Sequence, residues 1–231
     1  MLDLKKIKWV FFDFGGCLDS DGLHSRTLFF NAFLKHGLVT PQQRAHFQEG
    51  YTYSDQKVIS QGLIKSAPLH EMNMLMTHFI FKFLAYPLNQ DIIQKVADDI
   101  TLPQGQALRR NYHYLEQLCQ MYQLGIISNF SGNLEVILEE FNLRNFFKVV
   151  CDSYYVGASK PDKKIFTHAL TRAQCPAANA LFIGDNPDRD ILPAHEMGMQ
   201  TVLITGENKT SDYADACLTS FAAFFELIQI K

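Results

Sequence analysis

Trp9-Val10-Phe11-Phe12-Asp13-Phe14-Gly15-Gly16-Cys17-Leu18-Asp19-Ser20 decides the fold. A short apolar run bounded by turn residues reads as a fully covered parallel strand. It delivers Asp13 into a glycine turn, and in open parallel sheets ligands gather beyond the carboxyl ends of the strands. A carboxylate placed there is mounted as a nucleophile. Taken alone, the same residues also describe an ordinary loop aspartate, since acids and glycines crowd strand ends for solvation and turn reasons. The rest of the chain separates the two.

From about residue 105 onward, helix and strand alternate, the pattern of a parallel sheet with helices on both faces. Gln106 to Gln123 predicts a helix running into the apolar Leu124-Gly125-Ile126-Ile127, which ends at Ser128-Asn129. Leu134 to Phe141 predicts a helix, Lys148 to Cys151 a strand and Lys163 to Ala173 a helix with Ile165, Phe166, Ala169 and Leu170 on its apolar side. Ala180 to Ile183 is the next strand, ending on Gly184-Asp185; a helix around Asp190 to Met197 follows, and Thr201 to Ile204 closes the series. A polar link from Glu207 to Asp215 leads to a terminal helix over Phe221 to Ile230. Residues 21–95 differ, with Leu28, Phe29, Ala32 and Phe33 and then Met72, Leu75, Met76, Phe79, Ile80 and Phe83 at helical spacing. The predicted architecture is α/β: a three-layer Rossmann-like core built from residues 1–20 and 96–231, with 21–95 inserted as a helical cap. The Met and Phe stripe of 72–84 reads as core packing.

A chain of 231 residues with 47% hydrophobic content can bury a substantial core. The net charge is −3 and no basic run exceeds a pair, which argues against a nucleic-acid partner. The five cysteines are odd in number, widely spaced and free of any Cys-x-x-Cys pair, a pattern of neither a disulfide framework nor a zinc site and one suited to a reducing cytoplasm. Met1 to Lys6 mixes acid and base ahead of a short strand, so no signal peptide is expected, and no stretch is long and apolar enough to predict a membrane span.

Asp13, Ser128 with Asn129, Lys160, and Asp185 with Asp190 all fall at carboxyl ends of inferred strands, which share one rim in a parallel sheet. Singly each has a plain explanation: a helix cap, a loop lysine, a turn. In this order and spacing, Asp13 to Ser20, Ile127-Ser128-Asn129, Ser159-Lys160-Pro161-Asp162 with Ile165-Phe166, and Gly184-Asp185-Asn186 with Asp190 resemble the motifs of the haloacid dehalogenase-like hydrolase superfamily, in its helical-cap branch. The resemblance covers essentially the whole chain.

It implies a Mg²⁺-dependent phosphatase acting on a small phosphorylated metabolite. Asp13 would attack phosphorus to give an aspartyl phosphate, dividing one difficult step into two. Asp13, the Gly15 carbonyl, Asp185 and Asp190 would hold the metal, which prefers oxygen ligands. Ser128, Asn129, Gly16 and Lys160 would bind the phosphoryl group, with the Lys160 ammonium holding Asp13 ionised.

One position departs from the pattern. The family's phosphatases usually carry a second aspartate two residues after the nucleophile, as acid to the leaving group and base to water; here it is Gly15. Such a loss costs about 10² to 10⁴ in rate. The chain therefore either takes substrates whose leaving groups need little protonation or borrows an acid, with Asp19, Asp21, His24 and Lys57 as candidates. Three other readings stay open: a binding or regulatory module with little turnover, a phosphonatase using Lys57 or Lys65 as a Schiff base, and a haloacid dehalogenase, for which the metal-binding acids would be superfluous.

Overall fold

Alternation within β1 (Trp9–Phe12) builds two cores at once. Successive strand side chains point to opposite faces, so Phe11 joins one apolar cluster and Phe12 the other. Both rings are fully buried, and each contributes about 1.5–3 kcal/mol. Gripped from both sides, the strand presents Asp13 at a fixed height.

The computed structural model describes residues 2–206 and 210–229. After β1 come α1 (Ser25–Lys35), α2 (Arg44–Ser60), α3 (Leu69–Phe83) and α4 (Gln90–Met121), then β2 (Gln123–Ser128), α5 (Leu134–Glu140), β3 (Phe147–Asp152), α6 (Ser153–Val156) and α7 (Lys163–Ala173). The chain continues through β4 (Ala180–Gly184), α8 (Leu192–Glu196), β5 (Gln200–Ile204), β6 (Ala216–Leu218) and α9 (Phe221–Gln229). The strands form one sheet in the order β3-β2-β1-β4-β5-β6, and every pairing is parallel. On one face Phe11, Ile127, Cys151 and Phe182 pack with Ile165 and Phe166 of α7. On the other, Phe12, Ile126, Ile183 and Val202 pack with Leu115 and Leu118 of α4 and Phe221 and Phe224 of α9. The predicted three-layer α/β architecture is the one observed.

Strand order reverses at β1, where the chain leaves β3 on one side and returns as β4 on the other. This is the switch point at which open α/β sheets bind ligands. Phe12 pairs with Ile126 of β2 and Ile183 of β4. The three strands thus end within two residues of one another, and Asp13, Ser128 and Asp185 emerge on one rim.

Two elements differ from the sequence reading. Helix α4 begins at Gln90 rather than Gln106 and ends at Met121, so Gln123 is already in β2. A proline such as Pro103 normally ends a helix, but Ile93, Val96 and Ile100 before it and Leu108 and Leu115 after it are all buried in one core. Packing carries the helix across, and Asn89 caps its start by accepting from Ile92 N–H at 3.2 Å. The sheet also gains β6 beyond the strand read as last, pairing Val202 with Ala216 and Ile204 with Leu218. An edge strand of three residues is too short to show a period. Residues 207–209 of the predicted link, and Ile230 of the terminal helix, lie outside the described residues. Among the described residues the regular elements between β1 and β2 are helical, and α4 runs without interruption through residues 95 and 96. Among the described residues no helix is long and apolar enough to cross a membrane.

Candidate active site

Asp13 leaves β1 in extended conformation, its own N–H donating to the Ile183 carbonyl of β4 at 2.8 Å. Three donors converge on Oδ1: the Phe14 N–H at 2.8 Å, the Ser128 hydroxyl at 2.7 Å and the Lys160 ammonium at 2.8 Å. That leaves Oδ2 as the carboxylate oxygen those donors do not engage, which is the condition for a nucleophile. Ser128 thus spends its hydroxyl proton on Asp13.

Lys160 is buried, and its ammonium also lies 2.6 Å from Asp190 Oδ1. Its backbone is held by a reciprocal pair: the Asn129 side chain donates to the Lys160 carbonyl at 2.9 Å and accepts from the Lys160 N–H at 2.7 Å. Asn129 therefore positions the lysine through its side-chain amide, a role the sequence did not display. Asp190 is brought back to the rim by Asn186, whose side chain accepts from the N–H groups of Asp188 and Arg189 at 3.0 and 2.9 Å. Asp190 Oδ2 in turn accepts from Asn186 N–H at 3.0 Å.

One oxygen each of Asp13, Asp185 and Asp190 lies within 4.8 Å of the others, and all three residues are buried. Burial first, then Asp190 and Asp13, push the Asp185 carboxyl well above the usual carboxylate range. Burial raises Asp190 too, although Lys160 opposes the shift. The two carboxylates hold the Lys160 ammonium above its ordinary value against its own burial. Three carboxylates against one ammonium leave the cluster short of positive charge, and Asp185 Oδ1 is buried with no hydrogen-bond partner among the described residues. A hard divalent cation meets both deficits.

The two glycines of the turn behave differently. Gly16 has φ +91°, and a Cβ there would lie 2.3 Å from Asp185 Oδ2, so no side chain fits. Its N–H donates to Asp19 Oδ1 at 2.7 Å. The expectation that Gly16 binds substrate is thus corrected: it backs Asp185 and its donor is committed to Asp19. Gly15 has φ −74°, and its Cβ would meet only Ser25 Oγ at 3.4 Å, an ordinary contact. Gly15→Asp should therefore change stability by no more than about 1 kcal/mol, whereas Gly16→Ala should lose about 1–3 kcal/mol from backbone strain alone. Urea unfolding of the two variants checks this, and the reverse order of stability would contradict it.

Over the rim lies a cavity of about 260 Å³ that takes Asp13, Gly15, Ser128, Asn129, Lys160 and Asp190 into its wall. Helices between β1 and β2 line it as well, with Ser25, Arg26 and Phe29 from α1, Tyr51, Asp55 and Ile59 from α2, and Met72, Asn73 and Met76 from α3. Met72 and Met76 thus line the cavity as well as pack, so the stripe read as core alone has a second face. Tyr51, Asp55 and Ile59 recur every fourth residue along one helix face, the signal that sequence reading passed over.

The candidate acids fall in different places. Asp19 is buried and pushed up to about 6 by burial, although Ser20, Gly16 N–H and Gln104 all donate to it. Gln104 passes the chain on by accepting from Asn73 at 2.9 Å, tying the turn to α3. Asp21 pairs with Arg110 at 2.6 Å and accepts from Phe221 N–H at 3.0 Å. His24 lines the cavity, but its Nδ1 accepts from Arg26 N–H at 3.1 Å and its Nε2 lies 2.8 Å from Arg189 Nη2. Lys57 sits over the Tyr53 ring and Lys65 over the Tyr154 ring. Neither lysine lines the cavity, and Tyr154 raises the Lys65 pKa, opposite to what a Schiff-base amine needs. Cys17 is buried beneath the site, where burial and the three acids push its thiol far up, leaving it a neutral donor to the Ile183 carbonyl.

A family model described as haloacid dehalogenase-like hydrolase matches residues 70–204. The chain is 42% identical over 84 residues to haloacid dehalogenase-like hydrolase domain-containing protein 3 of Bos taurus, covering 36% of this chain and 34% of that protein. It is 34% identical over 110 residues to the pyrimidine 5'-nucleotidase YjjG of Escherichia coli strain K12, covering 47% and 49% respectively. These matches span between a third and a half of the length of each relative. Among solved structures, the HAD-hydrolase YfnB from Bacillus subtilis bound to magnesium superposes with TM-score 0.62 at 18% identity, over 97% of this chain and 100% of that one. A dehalogenase superposes with TM-score 0.65 at 16% identity, over 96% and 97%. At such identities the superpositions speak for the fold.

Proposed function

The chain belongs to the haloacid dehalogenase-like hydrolase family, and from that premise we propose that it is a Mg²⁺-dependent phosphatase of small phosphorylated metabolites, working through an aspartyl phosphate on Asp13. The observation that carries this reading is the convergence of Asp13, Asp185 and Asp190 within 4.8 Å, with Lys160 bridging Asp13 and Asp190. Displacing halide from carbon involves no dianion and gives Asp185, whose Oδ1 has no partner among the described residues, nothing to do. Transfer of a phosphoryl dianion to a carboxylate needs its charge neutralised first.

The orphaned Asp185 Oδ1 and the all-oxygen donor set fit Mg²⁺. Asp13, Asp185 and the Gly15 carbonyl would hold it, with Asp190 supporting, and the bound ion would neutralise the phosphoryl oxygens. Within the chain's own residues, three donors fix Asp13 Oδ1 so that Oδ2 faces phosphorus, and Lys160 adds positive charge between nucleophile and phosphate. The inserted helices of 21–95 serve as the cap, choosing the substrate by its leaving group. A relative named a pyrimidine 5'-nucleotidase supports the class of substrate, and the modest cavity suits a small metabolite. Gly15 favours one competing reading, a metal-binding module with little turnover.

A screen of aryl, acyl, sugar and alkyl phosphates with and without Mg²⁺ separates the two. Metal-dependent phosphate release is expected; absence of release from every substrate would favour the binding module. A second result does not depend on activity. Mg²⁺ at about 100 times its dissociation constant should stabilise the parent by about 2.7 kcal/mol, and Asp185→Asn should abolish that gain while leaving the metal-free protein no less stable. Equal metal stabilisation of parent and variant would remove Asp185 from the ligand set.

A further inference from the structure

We propose that Asp55, on the cavity face of α2, is the acid–base group of the reaction, standing in for the side chain that Gly15 lacks. The proposal rests on the phosphoryl-transfer reading of Asp13.

Asp13, Gly15 and Asp55 line the same cavity. The space beside Gly15 that a side chain would enter is bounded by Ser25 Oγ, 3.4 Å from the Cβ position. Ser25 also acts on the Tyr51 phenol. Tyr51 lies one helical turn before Asp55 on the same face. Beside the gap, therefore, the protein places a hydroxyl pair, and next to that pair a carboxyl group. Among the described residues no hydrogen bond or ion pair occupies the Asp55 carboxyl. Of the other aspartates near the site, Asp190 is committed to Lys160, Asp19 to its three donors and Asp21 to Arg110, while Asp185 belongs to the acidic cluster with Asp13 and Asp190.

The charges facing Asp55 are Arg26 from α1 and Arg189 from the segment after β4. Burial raises its carboxyl above the usual range, and the two arginines oppose that shift without cancelling it. A carboxyl moved toward neutrality both donates and accepts protons efficiently. The neighbouring groups do not: burial drives the Tyr51 phenol far up, and both ring nitrogens of His24 are engaged.

In the first half-reaction Asp13 Oδ2 bonds to phosphorus and the bond from phosphorus to the leaving oxygen breaks. The electron pair stays on that oxygen, which takes the Asp55 proton, giving an alcohol, an aspartyl phosphate and the Asp55 carboxylate. In the second, water attacks phosphorus and loses a proton to Asp55. The bond from phosphorus to Asp13 breaks with its electron pair returning to the carboxylate. Phosphate leaves, and both acids regain their starting states.

The test compares parent, Asp55→Asn, Gly15→Asp and the double variant on the best aryl and best alkyl phosphate of the screen, with Mg²⁺ present. Asp55→Asn should lower kcat for the alkyl ester by about 10² to 10⁴. On the aryl ester it should release about one equivalent of phenol per enzyme in a burst, then turn over slowly while phosphoenzyme accumulates, because an aryl oxide leaves unaided but water still needs a base. Gly15→Asp should restore alkyl turnover to Asp55→Asn, since the side chain fits. An unchanged kcat, a change in KM alone, or an equal loss on both esters without a burst would overturn the assignment. A folded parent that releases phosphate from no ester would instead overturn the underlying phosphatase reading, and the proposal with it.

Discussion

Asp13→Asn should reduce turnover by about 10⁴-fold or more, the scale on which removing a covalent nucleophile acts. The new amide keeps a carbonyl oxygen where Oδ1 accepts from Phe14 N–H, Ser128 and Lys160, so the strand end stays supported. What it loses is the anionic Oδ2 and one of three crowded negative charges. Unfolding should therefore take place at the parental midpoint or slightly above it, while the phosphoenzyme vanishes. Rates of phosphate release and acid-quench trapping of the covalent species check both halves. A variant that turns over at the parental rate would show that Asp13 bonds to nothing during the reaction.

Lys160→Met should lower activity by about 10² to 10³ and cost about 3–5 kcal/mol of stability without metal, since removing one member of a buried ion pair strands the other. Here two are stranded: the ammonium lies 2.8 Å from Asp13 and 2.6 Å from Asp190, and all three groups are buried. The sign with pH follows from the carboxyls. Burial already raises the Asp185 and Asp190 carboxyls and Lys160 opposes that shift, so loss of the cation raises them further, and stability falls as pH rises through the raised values and returns on acidification. Lys160→Arg should not rescue it, because a planar guanidinium needs a different geometry from a compact ammonium. Denaturant midpoints between about pH 5 and 8 make the comparison. A Lys160→Met protein as stable as the parent across that range would mean that the acids do not depend on this cation.

The residues that could be read from sequence are those whose place is set by the chain itself. Asp13, Ser128, Lys160 and Asp185 each follow a strand or precede a helix recognisable from its apolar pattern, and parallel strands put such ends on one rim. Residues defined by what stands opposite them were hidden. Asn129 resembles a helix cap until Lys160 is seen across its amide, and Gly16 looks like a phosphate-binding turn until Asp19 takes its N–H. Tyr51 and Asp55 look like the ordinary flank of an amphipathic helix until α2 lies over Asp13. Pro103 and the three-residue β6 were missed for a related reason, since neighbours hold them in shapes that local preference would not choose.

The shared register of β1, β2 and β4 carries an evolutionary constraint. Inserting one residue between Trp9 and Phe12 would exchange the environments of Phe11 and Phe12 and carry the following carboxylate about 3.3 Å along the strand, out of reach of partners supplied by two other strands. Strand length in this molecule is therefore a frozen dimension, whereas the connections above the rim can lengthen, shorten or be replaced. Descendants of such a chain would diversify by rewriting those connections and would keep the β1 count unaltered.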